Sequence, residues 1–109
     1  RVQGPRRALL YLPDIDSWDE WPEATAVLGG VDVALVDGSF YSVAELNGRP
    51  PIAHPLIPDT LARFAAIPGQ LVLTHLNHTN PALDADSAAR AEIAAAGAQV
   101  AFTGQTFAL

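Results

Sequence analysis

The chain has 109 residues, half of them apolar, which suffices for one small domain with a real core and not for two. Twelve acidic residues against six basic ones give a net charge of −6, which argues against general nucleic-acid binding and allows a site that holds a cation. There is no cysteine, so disulfides and thiolate metal sites are excluded within the chain, and no apolar run approaches the roughly 18 residues needed to span a bilayer.

The chain opens Arg1-Val2-Gln3 without Met and reads as a piece of a longer protein; no signal peptide is seen. Residues 1–7 are basic and carry a Gly-Pro turn signal, which predicts a loop or hairpin end. Ala8-Leu9-Leu10-Tyr11-Leu12 is a continuous apolar run of the kind buried on both faces of a sheet, bounded by Pro13. Asp16 or Ser17 can cap a helix beginning near Trp18. Asp19, Glu20 and Glu23 suit its positive end, and Gly29-Gly30 stops it. A second strand covers 32–36 and ends at Asp37-Gly38-Ser39-Phe40.

Residues 41–55 read as a long loop, with Asn47-Gly48, Pro50-Pro51 and His54-Pro55; ordered loops of this length are often functional. Pro58 and Asp59 open a helix whose Ile57, Leu61 and Phe64 share one face by their spacing, and Pro68-Gly69 ends it. A third strand covers 70–75. It breaks into His75-Leu76-Asn77-His78-Thr79-Asn80-Pro81. Asp84 or Asp86 starts an Ala-rich helix through Ala96, with Gly97 as its stop. Residues 98–102 form a last strand. The alternation of strands and helices predicts an α/β layer with helices packed on a mostly buried sheet.

Three strands end in the same chemical vocabulary: Asp14, Asp37 and His75. If they run parallel, these groups collect at one edge of the sheet, where ligand sites of α/β proteins gather. His54 can fold over that edge from the long loop. Carboxylates and imidazoles converging in this way suit a hard-to-borderline divalent metal. An Asp after a strand is most often a turn former or helix cap, and that reading is preferred for Asp16, Asp32 and Asp59. Asn77 and Asn80 can satisfy loop backbone groups. Two imidazoles three residues apart beyond an apolar strand, His75 and His78, offer little to a core.

The strings Tyr11-Leu12-Pro13-Asp14-Ile15-Asp16, Val31-Asp32-Val33-Ala34-Leu35-Val36-Asp37-Gly38-Ser39-Phe40, His54-Pro55 and Thr74-His75-Leu76-Asn77-His78-Thr79-Asn80-Pro81 follow one another in this order. Together they resemble the C-terminal third of the PqqB family, the B proteins of pyrroloquinoline quinone (PQQ) biosynthesis, within the metallo-β-lactamase-fold superfamily. The resemblance implies the C-terminal half of a metallo-β-lactamase-like αββα sandwich, a single partial domain over 1–109. It implies that Asp14 and His75 bind metal, and that Asp37, His54 and His78 are catalytic, moving protons or holding substrate carboxylates. Asn77 and Asn80 would contact substrate.

Asp37 departs from the related tRNA-processing nucleases, which carry Glu there. The superfamily's first ligand cluster, of the His-x-His-x-Asp-His type, is absent from this chain, so the piece alone is expected to be inactive. The implied reaction is an iron-dependent hydroxylation of the tyrosine ring of a peptide-derived Glu–Tyr intermediate. Fe(II) is the expected cofactor, with Zn or Mn as alternatives. The expected partner is a small amino-acid-derived substrate, with no nucleic acid and no membrane; a homodimer is compatible, and the expected location is cytoplasmic. The rival readings are a zinc-dependent hydrolase of the same superfamily, and a protein that binds or transports PQQ or its precursor without turnover.

Overall fold

The computed structural model describes residues 1–49 and 53–109, so the Pro50-Pro51 turn signal lies outside the described residues. Five strands form one sheet in the order β1-β2-β3-β4-β5. They are β1 (Val2–Gln3), β2 (Ala8–Leu12), β3 (Val33–Asp37), β4 (Gln70–Thr74) and β5 (Gln99–Val100). β1 is antiparallel to β2, and the remaining neighbours are parallel. Parallel neighbours need crossovers. These carry α1 (Ala24–Gly29), α2 (Ile57–Arg63) and α3 (Ala88–Ala95). This is the α/β architecture expected from the alternation.

Alternate strand residues build the core. Ala8 and Leu10, Ala34 and Val36, and Leu71 and Leu73 pack with Leu28, Ile57, Phe64 and Ile93 from the helical side. Ile57 and Phe64 are buried and Leu61 packs beside them, as the helical spacing predicts. Trp18 locks the first crossover onto α2. Its ring meets Phe64 edge-on at 4.7 Å, and its Nε1–H donates to the Thr60 hydroxyl at 2.8 Å.

Local chemistry explains where the elements depart from expectation. The helix expected from Trp18 to Gly29 is two pieces, a 3₁₀ turn (Trp18–Glu20) and α1. Pro22, which has no N–H to donate, lies between them. Ser17, not Asp16, caps the first piece, accepting from Asp19 N. The long loop contains a 3₁₀ turn (Val43–Leu46) closed by a capping box, in which Ser42 and Glu45 satisfy each other's backbone N–H groups. Ser87 caps α3 instead of Asp84 or Asp86, accepting from Arg90 N. Residues 1–7 are more than a turn: Val2 and Gln3 add an edge strand opposite Leu9 and Ala8. Among the described residues, no helix is long and apolar enough to cross a membrane.

The register decides what the ends of the sheet can do. Leu12 pairs with Val36, Val36 with Leu73, and Asp37 with Thr74. β2, β3 and β4 therefore finish side by side. The residues that follow them start from one edge.

Candidate functional site

Asp37 closes β3 and is fully buried. A carboxylate removed from water is costly unless donors surround it. Ser39 N donates to Oδ1 at 2.8 Å, and Ile15 N donates to Oδ2 at 3.1 Å. His54 Nδ1 lies 2.6 Å from Oδ2. The Ile15 bond ties the turn after β2 to the end of β3 and brings its neighbour Asp14 with it. Asp14 Oδ1 is 3.5 Å from the same His54 nitrogen, with its side chain 64% exposed. Ligand-capable atoms of Asp14, Asp37 and His54 all lie within 4.8 Å of one another.

His75 reaches this group through Ser39. The Ser39 Oγ is 3.1 Å from His75 Nδ1 and 3.3 Å from His54 Nδ1. The two imidazole centroids are 6.0 Å apart. His75 holds a left-handed backbone, φ 63°, a region that His enters more readily than most side chains. Gly38 permits the close approach beneath it. A Cβ there would sit 3.0 Å from Leu73 Cβ and 3.1 Å from Thr74 O. A cavity of about 250 Å³ lies against Ser39, Phe40, His54, His75, Leu76 and Asn77. A second cleft of about 420 Å³ borders His54 beside Trp18, Asp59 and Arg63.

The structure thus brings together Asp14, Asp37, His54 and His75. The expected trio at the sheet edge was Asp14, Asp37 and His75; in the tightest cluster His54 takes the third place. Asn77 lines the smaller cavity and donates to the Thr79 hydroxyl at 2.8 Å. His78 is exposed, borders neither cavity and makes no hydrogen bond among the described residues. Asn80 is only 2% exposed. Its amide donates to Gly38 O and Ser39 O and accepts from Ala82 N. Its polar atoms are committed inside the fold, so it pins the loop and offers no free amide to a substrate.

Two contributors were not anticipated. Ser39 follows Asp-Gly and looks like an ordinary turn residue. Glu45 accepts from Tyr41 N, Ser42 N and the Thr79 hydroxyl, and so joins the two loops beside the site. The Ser42–Glu45 spacing of a capping box was the available signal for it.

Geometry sorts these groups by chemistry. Two ligands of one ion at about 2.1 Å lie about 3 Å or more apart. At 2.6 Å, His54 Nδ1 and Asp37 Oδ2 stand as a hydrogen-bonded pair, closer than two ligands of one ion. Asp14 is exposed, and Ser39 leaves one His75 nitrogen free. A carboxylate and an imidazole are the donor types that Fe, Mn and Zn accept.

No protein-family model matches the chain. Curated relatives do. Coenzyme PQQ synthesis protein B of Pseudomonas putida is 35% identical over 112 residues, covering 93% of this chain and 36% of the relative. The proteins of the same name from Azoarcus sp. and Cupriavidus necator are each 32% identical, covering 94% and 100% of this chain and 37% and 39% of theirs. The chain therefore spans well under half the length of the curated relatives it matches. Among solved structures, Zn(2+)-bound PqqB from Methylobacterium extorquens superposes with a TM-score of 0.86 at 28% identity, over 98% of this chain and 42% of that one. The five-stranded sheet and its helices match that structure, in keeping with part of a metallo-β-lactamase-like fold. In sequence and in backbone alike, this chain resembles coenzyme PQQ synthesis protein B.

Proposed function

We propose that this chain supplies one side of the active centre of a PQQ-biosynthesis protein of the B type. Asp14 and His75 are its metal ligands, and Asp37 and His54 its acid–base pair. The observation that carries this reading is the convergence of a buried Asp37 bonded to a half-buried His54, an exposed carboxylate and a second imidazole at the aligned ends of three parallel strands. Similarity to proteins named for coenzyme PQQ synthesis supports the pathway. A relative described as Zn(2+)-bound supports a metal. Catalytic metal centres commonly use three protein ligands; Asp14 and His75 would be two of them.

The reaction we assign is hydroxylation of the tyrosine ring in a peptide-derived Glu–Tyr substrate. Bound Fe(II) would supply oxygen activation and orient the phenol. The protein's own part is positional. Asp37 holds the His54 ring through Nδ1, so its Nε2 is the nitrogen left to give or take a proton. Neutral imidazole suits that role near physiological pH. Asn77 lies against the same cavity as a candidate contact to the amino-acid portion, and His78 stands nearby in sequence to hold a carboxylate.

The test uses the intact protein with Fe(II), O₂ and the diamino-acid substrate. Hydroxylated product should appear, and His75→Ala should lose both product and bound metal. Unchanged turnover and metal content in that variant would sink the assignment. The Zn(2+) in the solved relative favours a second reading, a zinc hydrolase. It predicts turnover that persists without O₂. Tight binding of PQQ with no turnover under any condition would point instead to a carrier.

A further inference from the structure

We infer that Ser39 is a positioning residue that holds the His75 ring through Nδ1, and so leaves Nε2 as the nitrogen that ring presents to a metal. The inference rests on the reading of His75 as a ligand.

Ser39 is 3% exposed and rigidly placed. Its N–H donates to Asp37 Oδ1, and its carbonyl accepts from Asn77 N at 2.9 Å and from the Asn80 amide at 3.2 Å. Its hydroxyl stands between two imidazoles, 3.3 Å from His54 Nδ1 and 3.1 Å from His75 Nδ1. A hydroxyl carries one donor and two acceptor sites, so it cannot donate to both rings.

The His54 side of this choice is settled by Asp37. The carboxylate oxygen 2.6 Å away already accepts from a backbone N–H, so the shared proton belongs to His54 Nδ1. That nitrogen cannot accept from Ser39. Ser39 therefore has no proton to give His54, and its hydroxyl is left to bond His75 Nδ1 as donor or as acceptor.

Metal binding through Nε2 requires the tautomer with the proton on Nδ1, and the Ser39 oxygen can accept that N–H. Ser39 thus orients the ligating ring from its far side, with no movement of the backbone. An orienting partner of this kind is commonly worth 10- to 100-fold in metal affinity.

Zn(II) titration of the intact protein and its variants tests this, together with ¹⁵N spectra of the His75 ring. Ser39→Ala is expected to weaken Zn(II) by about 10- to 100-fold with an unchanged unfolding midpoint. The unmutated protein is expected to show Nδ1 protonated and Nε2 coordinated when Zn(II) is bound. Wild-type affinity in Ser39→Ala, with binding lost in His75→Ala, would overturn the role of Ser39 and leave His75 as a ligand. Wild-type affinity in His75→Ala would overturn the ligand reading and this inference with it. Zn(II) coordinated through Nδ1 of that ring overturns it too, however the Ser39 variant folds.

Discussion

His54 Nδ1 and Asp37 Oδ2 meet at 2.6 Å from opposite ends of the connection between β3 and α2. Asp37 is where the sheet stops, and His54 is where the chain comes back to it. The pair therefore reports on the whole loop: its path must return one imidazole to a carboxylate that two backbone N–H groups already hold.

Asp37→Asn tests how much structure hangs on that carboxylate. An amide has one acceptor oxygen, so Ser39 N or Ile15 N would face an NH₂ group inside the fold. Leaving a buried donor unpaired costs about 1–3 kcal/mol. Denaturant unfolding should show a loss of that size. A change below about 0.5 kcal/mol would mean that the bonds to Asp37 contribute little.

Asn80→Ala separates a loop pin from a substrate contact. Its amide makes three hydrogen bonds, one of them a cap to Ala82 N. We expect a loss of about 2–4 kcal/mol in unfolding free energy. Asn77→Ala, with the single side-chain bond to Thr79, should cost less than about 1 kcal/mol. Unaltered stability in Asn80→Ala alongside weaker substrate binding would restore the contact role.

At His75 the backbone and the side chain make separable demands. Its φ of 63° suits glycine and disfavours β-branched residues. His75→Gly should remain within about 1 kcal/mol of the parent, while His75→Val should lose about 1–3 kcal/mol. Both should lose Zn(II) binding. Equal stabilities for the two variants would show that the left-handed turn is not maintained in solution.

Thr60→Val leaves the buried Trp18 Nε1–H without its acceptor, at a cost of about 1–3 kcal/mol. Adding Trp18→Phe should then cost less than it does in the parent. Additivity within about 0.3 kcal/mol would mean that the bond contributes nothing measurable.

Much of the fold is legible in local pattern. Leu71 to Leu73 is an apolar run buried throughout, as expected of a central strand, whereas Ala8 to Leu12 forms its strand but leaves Tyr11 59% exposed where burial on both faces was expected. The spacing of Ile57, Leu61 and Phe64 describes one buried helical face. Errors fall where one residue overrides its neighbourhood: Pro22 divides a helix, and Ser87 takes a cap from two aspartates that were equally plausible by type.

By itself, the sequence determined which segments become strands and helices, and that Asp14, Asp37 and His75 follow strand ends. Periodicity and apolar runs act between near neighbours, so they can be read along the chain. Only the tertiary structure decided that His54 outcompetes His75 for the carboxylates, that Ser39 stands between the two rings, and that Asn80 is turned inward. Those outcomes depend on strand register and on the return path of a loop. Hydrogen bonds between residues 15 to 42 positions apart set them, and no local spacing encodes such bonds.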